Sequence, residues 1–209
     1  FMEQVHPDHF EAQLFLGTQI MDESRHLDVF RKRALVNGGG LVDAGFGASN
    51  LLTADDFTEM TARLHLIGEG FVQTIFRMGE LISTNEAEKR IYRLSAQDES
   101  RHLAFGVTHL KYLMDVEPAR AEELHHYLDI QEGAIGQSNG SLTTNPATVE
   151  ALAILAGGGL DKIDEGFQKL MIMRKKQINE YMHRLEVIGL SDRRDRMAPS
   201  MKMFLEPIV

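Results

Sequence analysis

The pentapeptide Asp-Glu-Ser-Arg-His occurs twice, at residues 22–26 and 98–102, each time followed by a leucine, Leu27 or Leu103. Each copy contains Glu-x-x-His, and a three-residue step along a helix brings both side chains to one face. Carboxylate and imidazole together suit iron. Two such helices side by side would present Glu23, His26, Glu99 and His102 to one buried site. That is half of a carboxylate-bridged dimetal centre in a four-helix bundle.

Helical phase predicts which way these groups point. Leu16, Ile20, Leu27, Phe30 and Ala34 follow steps of three and four, with Glu23 in the slot between Ile20 and Leu27. Ala96, Leu103, Gly106, Leu110 and Leu113 keep the same rhythm around Glu99. Both glutamates are therefore expected on an apolar stripe. A buried carboxylate must be protonated, paired or metal-bound. A third carboxylate, Glu69, lies in the mostly apolar run Leu66-Ile67-Gly68-Glu69-Gly70-Phe71-Val72, flanked at helical spacing by Ala62 and Phe76. Gly68 and Gly70 each cost a helix roughly 1 kcal/mol, tolerable where a neighbouring group comes close. Glu59 and Glu80 compete with Glu69 but stand near helix ends, where solvation is easier. Asp22 and Asp98 are placed to accept the second ring N–H of a histidine on the opposite helix, which fixes its tautomer. Arg25 and Arg101 would neutralise those aspartates.

The elements that must position these groups read as helices throughout, giving an all-α fold. Asp8 and Glu11 form a capping box for a helix running to about Val36, which stops at Asn37-Gly38-Gly39-Gly40. Residues 41–54 read as a loop. A second helix spans about Asp55 to Ile82. Thr84 or Asn85 caps a third, from Glu86 to about Met114. Glu117-Pro118 opens a fourth, to about Ile135, and Gly136 to Pro146 is turn-rich. A short helix near Thr148 to Leu155 ends at the glycines 157–159, and a last long one runs from about Leu160 to Val187. The expected organisation is one domain: a core at 9–115, a helical extension at 116–190 and a loose tail at 191–209. His125-His126 reads as a solvated face, and His6, His9, His65, His109 and His183 as structural or exposed.

Composition narrows the chemistry. The 209 residues include no cysteine, which excludes disulfides, iron–sulfur clusters, thiolate zinc sites and cysteine nucleophiles within the chain. Any metal must be held by His, Asp or Glu. The net charge of -9 argues against nucleic acid as a partner. No window approaches about 18 uncharged apolar residues, so no membrane span is expected. Glu3, His6, Asp8 and His9 leave no room for a signal-peptide apolar region, and the expected location is cytoplasmic.

Two Asp-Glu-x-Arg-His motifs with a lone Glu on the helix between them resemble the ferritin-like di-iron carboxylate superfamily. The resemblance covers about residues 9–115 and is closest to the branch of oxygenases and ribonucleotide reductase small subunits. It implies a ferritin-like bundle with added C-terminal helices. It also implies iron ligands at Glu23, His26, Glu69, Glu99 and His102, with two iron ions or a manganese–iron pair between them. Members of the superfamily activate O2 at such a centre, and the implied substrate here is small and apolar or aromatic. No flavin or NAD motif is present, so electrons would come from a separate donor protein, and a homodimer is expected.

The departures are specific. The superfamily takes a further Glu or Asp from a helix about thirty residues before the first Glu-x-x-His, which here falls before Phe1, and the reading is an N-terminally truncated sequence. Glu11 lies about a third of a turn off the face of Glu23. Phe30 stands where reductase subunits usually carry a radical-bearing tyrosine, and Ser95 where arylamine N-oxygenases carry a third histidine. Two alternatives remain open: a ferroxidase or iron-storage protein, and a metal-free bundle whose buried Glu and His pair with each other.

Overall fold

The computed structural model describes residues 2, 5–36, 38, 39, 51, 53–137 and 146–206. Every regular element among them is helical, and none is a strand. Most of the loop expected at 41–54 and of the turn-rich stretch at 136–146 lies outside the described residues, as do Asn37, Gly40 and the last three positions.

The first helix, α1 (Phe10–Val36), follows a 3-10 turn at Pro7–His9. The expected Asp8 cap is not formed: the backbone N–H of Asp8 instead donates to Nδ1 of His6. The second helical run is continuous but not uniform. It opens as α2 (Phe57–Thr61) under an Asp56 cap, passes through a π-helical segment at Ala62–Glu69, and continues as α3 (Gly70–Ile82). Asn85 caps α4 (Glu86–Val116), accepting from the backbone N–H groups of Ala87 and Glu88. Beyond lie α5 (Ala121–Gln137), α6 (Pro146–Gly157) and α7 (Ile163–Val187).

The described residues beyond α7, to Glu206, are packed rather than loose. Two short helices, α8 (Arg193–Arg196) and α9 (Pro199–Lys202), fold back onto α5 and α7. Met197 and Met201 are buried in the apolar core. Arg193 is fully buried, where Nε donates to Glu132 Oε1 at 3.0 Å and Nη1 to the carbonyl of His125 at 3.1 Å. The Tyr181 hydroxyl donates to the same Glu132 oxygen at 2.8 Å. A buried cation is tolerated when charge and hydrogen bonds are both met, and a charged segment can thus anchor a tail. His125 is buried by the same packing, against the expectation of a solvated face, while His126 is exposed.

Two interiors result. The apolar core joins Leu66, Ile67 and Phe71 with Leu110, Leu124, Leu128, Ile178 and Leu185 across the π-segment, α4, α5 and α7. The second interior is polar. It lies where α4 packs against α1 and the π-segment, and it buries Gln19, Asp22, His26, His65, Glu69, Asp98, Glu99 and His102. The π-segment serves both, sending Leu66 and Ile67 into the apolar core and His65 and Glu69 into the polar one.

The face of α1 differs from the expected stripe. Its buried residues are Gln19, Asp22 and His26, while Ile20 is 58% exposed and Leu27 71%. Both line an open cavity shared with Leu64 and His65 of the π-segment, and Glu23 between them is half-exposed. On α4 the expected stripe is the buried one: Ala96, Glu99, Leu103, Gly106, Leu110 and Leu113 all face inward. Glu59 is buried too, paired with Arg63 one turn on, rather than solvated at its helix end.

Candidate metal centre

Glu23, Glu69, Glu99 and His102 bring one ligand atom each to within 4.8 Å of one another, an arrangement that could hold a metal ion. α1 supplies the first, the end of the π-segment the second, and α4 the other two. His26 stands beside this group, with Nδ1 3.6 Å from Glu23 Oε2 and 3.5 Å from Glu99 Oε1.

The outer ring nitrogens are held crosswise. His26 Nε2 lies 3.0 Å from Asp98 Oδ2, and His102 Nε2 lies 3.2 Å from Asp22 Oδ2. Each aspartate thus serves the histidine of the other helix. Arg25 donates to Asp22 at 2.7 Å and Asp98 at 2.6 Å, and Arg101 donates to Asp22 at 2.9 Å and Asp98 at 2.6 Å. Two aspartates and two arginines form a closed ring of charge-assisted hydrogen bonds that locks α1 against α4.

The inner atoms are left over. His26 Nδ1, His102 Nδ1, Glu69 Oε2 and Glu99 Oε2 are buried and make no hydrogen bond. The separations across the cluster, such as 3.4 Å from His102 Nδ1 to Glu99 Oε2 and 3.6 Å to Glu69 Oε1, exceed those of the outer ring. Buried polar atoms without partners are rare and call for an explanation. Here they are nitrogen and carboxylate oxygen atoms converging on one space, and that donor set fits iron or manganese.

The charges couple accordingly. Burial opposes protonation of His102, but Glu23, Glu69 and Glu99 outweigh it and raise its pKa to about 12. His26 is raised to about 10 against the same opposition, by Glu23, Glu99 and Asp98. Glu23 resists burial through the two histidines and falls to about 2. Glu69 is pushed up to about 6 by burial, with His102 pulling the other way. Without a metal ion, the site is held by imidazolium–carboxylate attraction.

Two residues the sequence reading did not single out complete the surroundings. Gln19 Nε2 donates to Glu69 Oε1 at 2.6 Å, and Gln19 Oε1 lies 3.3 Å from His65 Nε2. Burial and then the charge of His102 lower the His65 pKa to about 3, so its ring stays neutral and Nε2–H is the donor to Gln19. The signal was present in the spacing, since His65 stands one turn before Glu69 and Gln19 one turn before Glu23. Gly106 makes room for this arrangement: a Cβ there would collide with the His65 side chain.

A cavity of about 500 Å³ adjoins the cluster, lined by Leu16, Gln19, Ile20, Glu23, Leu64 and His65 among others. Leu16, Ile20 and Leu64 form its apolar wall, whereas Leu66, two residues from Leu64, belongs to the apolar core. Phe30 stacks on Phe76 at 5.2 Å and lies 5.4 Å from Tyr92. No helix among the described residues is long and apolar enough to cross a membrane. Neither a protein-family model, a curated protein nor a solved structure matches this chain.

Proposed function

We propose that the cluster holds two iron ions, or one manganese and one iron, and that the protein is a ferritin-like oxidase or oxygenase acting with O2 on a small apolar or aromatic substrate. The observation that carries this reading is the convergence of Glu23, Glu69, Glu99 and His102 within 4.8 Å, with buried atoms of His102, Glu69 and Glu99 left without a hydrogen bond. Glu23, His26, Glu69, Glu99 and His102 would hold the ions. A bound metal pair supplies redox equivalents and open coordination positions for O2.

The chain's own residues prepare that chemistry. Asp98 and Asp22 orient the rings of His26 and His102 so that each Nδ1 faces inward. Arg25 and Arg101 both donate to both aspartates; the Asp98 pKa is lowered against burial by the two arginines and His26. Gln19 fixes Oε1 of Glu69, the oxygen 3.6 Å from His102 Nδ1, and Oε2 is left without a hydrogen bond. The cavity beside Glu23 takes the substrate, with Leu16, Ile20 and Leu64 excluding water from its apolar body. Electrons come from a separate donor protein, and the working unit is a homodimer.

The test is oxygen uptake by anaerobically Fe(II)-loaded protein given a chemical reductant and toluene as an aromatic probe. The oxygenase reading predicts reductant-dependent O2 uptake and an oxygenated product. Iron accumulating well beyond about two ions per chain, without product, would instead identify a ferroxidase.

A further inference from the structure

A second cavity, of about 760 Å³, lies between α3 and α7, and it shares no lining residue with the cavity beside Glu23. Its wall carries four permanent cations, Arg77, Lys175, Lys176 and Arg184, against two carboxylates, Glu180 and Glu206. Both carboxylates are engaged. Glu180 accepts from Arg77 at 3.2 Å and from the Thr74 hydroxyl at 3.0 Å, and Lys176 Nζ lies 3.2 Å from it. Glu206 pairs with Lys175 at 3.2 Å.

Arg184 is the exception. It is only 8% exposed, and burial lowers its pKa to about 10. Nη2 donates to the carbonyl of Leu66 at 3.0 Å, while Nε is buried with no partner. The Gly70 N–H bonds the carbonyls of His65 and Ile67, not that of Leu66, as the π-segment ends. Gly70 also supplies the space, since a Cβ there would strike the Arg184 guanidinium. A guanidinium buried this far is normally matched by a carboxylate; among the described residues none lies within ion-pair distance of it, and Glu180 acts on it only at longer range. Leu103 and Ile172 add an apolar wall to the same cavity.

We propose that this groove binds a small organic carboxylate, its head group on Arg184 and its apolar body along Leu103 and Ile172. Lys176 and Arg77, half-exposed at the mouth, raise the local concentration of anions. The site is independent of any metal in the polar interior.

The experiment is calorimetric titration of the full chain with octanoate, acetate, 1-octanol and inorganic phosphate. Octanoate is expected to bind saturably with one site. Acetate lacks the body and octanol the charge, so both should bind at least about tenfold more weakly, and phosphate likewise. Arg184→Met should weaken octanoate by about 10–100-fold, the worth of a charge-assisted hydrogen bond. Lys176→Glu, on an exposed side chain, should weaken it several-fold and does not depend on whether the Arg184 variant folds. Octanoate binding that is unsaturable, matched by phosphate, or unchanged in a folded Arg184→Met or in Lys176→Glu would overturn the proposal.

Discussion

The two copies of Asp-Glu-Ser-Arg-His are identical in sequence and unequal in surroundings. Their aspartates, arginines and histidines are matched almost atom for atom, each Asp serving the other copy's His and each Arg bridging both Asp residues. Their glutamates are not. The side chain of Glu99 is 3% exposed and that of Glu23 is 49%. α4 packs against α3, the π-segment and α1, whereas α1 rests chiefly on α4. Sequence identity fixes the donor types, and the neighbours decide how far each donor is desolvated. A carboxylate in a dry site binds an ion more strongly than one that water can screen, so the copies should contribute unequally to metal affinity.

The sharpest way to break that comparison is to remove each glutamate in turn. Glu99→Ala should lower Fe(II) or Mn(II) affinity beyond the roughly 10–100-fold that loss of an outer partner costs. Glu23→Ala should stay within that range. Equal losses, read by titration with a competing chelator, would mean that exposure does not set ligand strength here.

The aspartates supply the symmetric control. Asp22→Asn and Asp98→Asn each remove an acceptor from the opposite histidine, and each should cost about 10–100-fold in metal affinity. Because the contacts are reciprocal, the two losses should agree within a few-fold. A large imbalance would show that one histidine carries the site alone.

Protonation distinguishes a metal centre from a bundle of paired side chains. The histidine pKa values, about 12 and about 10, are raised above the ordinary 6.5. Their contribution to apoprotein stability is therefore fully present below about pH 6.5 and is lost as pH rises toward 10–12. Glu23, lowered to about 2 from 4.5, contributes above pH 4.5 and loses that contribution as pH falls toward 2. A bound ion needs neutral imidazoles, so its affinity should rise with pH, by up to about tenfold per unit for each proton displaced. Melting temperatures between pH 6 and 8 should then diverge with and without Mn(II), the stabilisation by metal growing as pH rises. Stabilisation by Mn(II) that is flat or shrinking over that range would favour the metal-free reading.

The smallest effects concern packing. Gly106→Ala should cost about 1–3 kcal/mol, because the added methyl meets the His65 side chain where α4 crosses the π-segment. Leu27→Ser, on the exposed face of α1, should change stability by no more than about 0.5 kcal/mol. Denaturant unfolding of both variants checks the pair, and a large loss at Leu27 would mean that this face is covered in solution.

Much of the scaffold was legible in the sequence. The helices were announced by breakers and caps, notably Asn85, and the reach of each Asp to the opposite His follows from its place one residue before each Glu. Other features were hidden for physical reasons. Counting apolar residues at helical spacing put Ile20 and Leu27 inside, but the buried stripe of α1 is Gln19, Asp22 and His26, a polar face that hydropathy does not register. His65 and Gln19 were passed over for the same reason. The π-segment carries no composition signature, although it places Leu66 and Glu69 in different interiors and offers the Leu66 carbonyl to Arg184. The tail was misjudged because Ser191 to Arg196 is highly charged, and the acceptors that match the buried Arg193, namely Glu132, Asp129 and the His125 carbonyl, lie far away in sequence on α5.

The central claim is that the polar interior is a metal centre, and metal content measures it most directly. Protein prepared in iron-replete medium and analysed by elemental mass spectrometry should carry about two Fe or Mn ions per chain. Glu99→Ala should lose nearly all of them while keeping its helical circular dichroism, and Glu23→Ala should retain a larger share. Folded wild-type protein with far less than one ion per chain, or the same metal content in wild type and Glu99→Ala, would contradict the account.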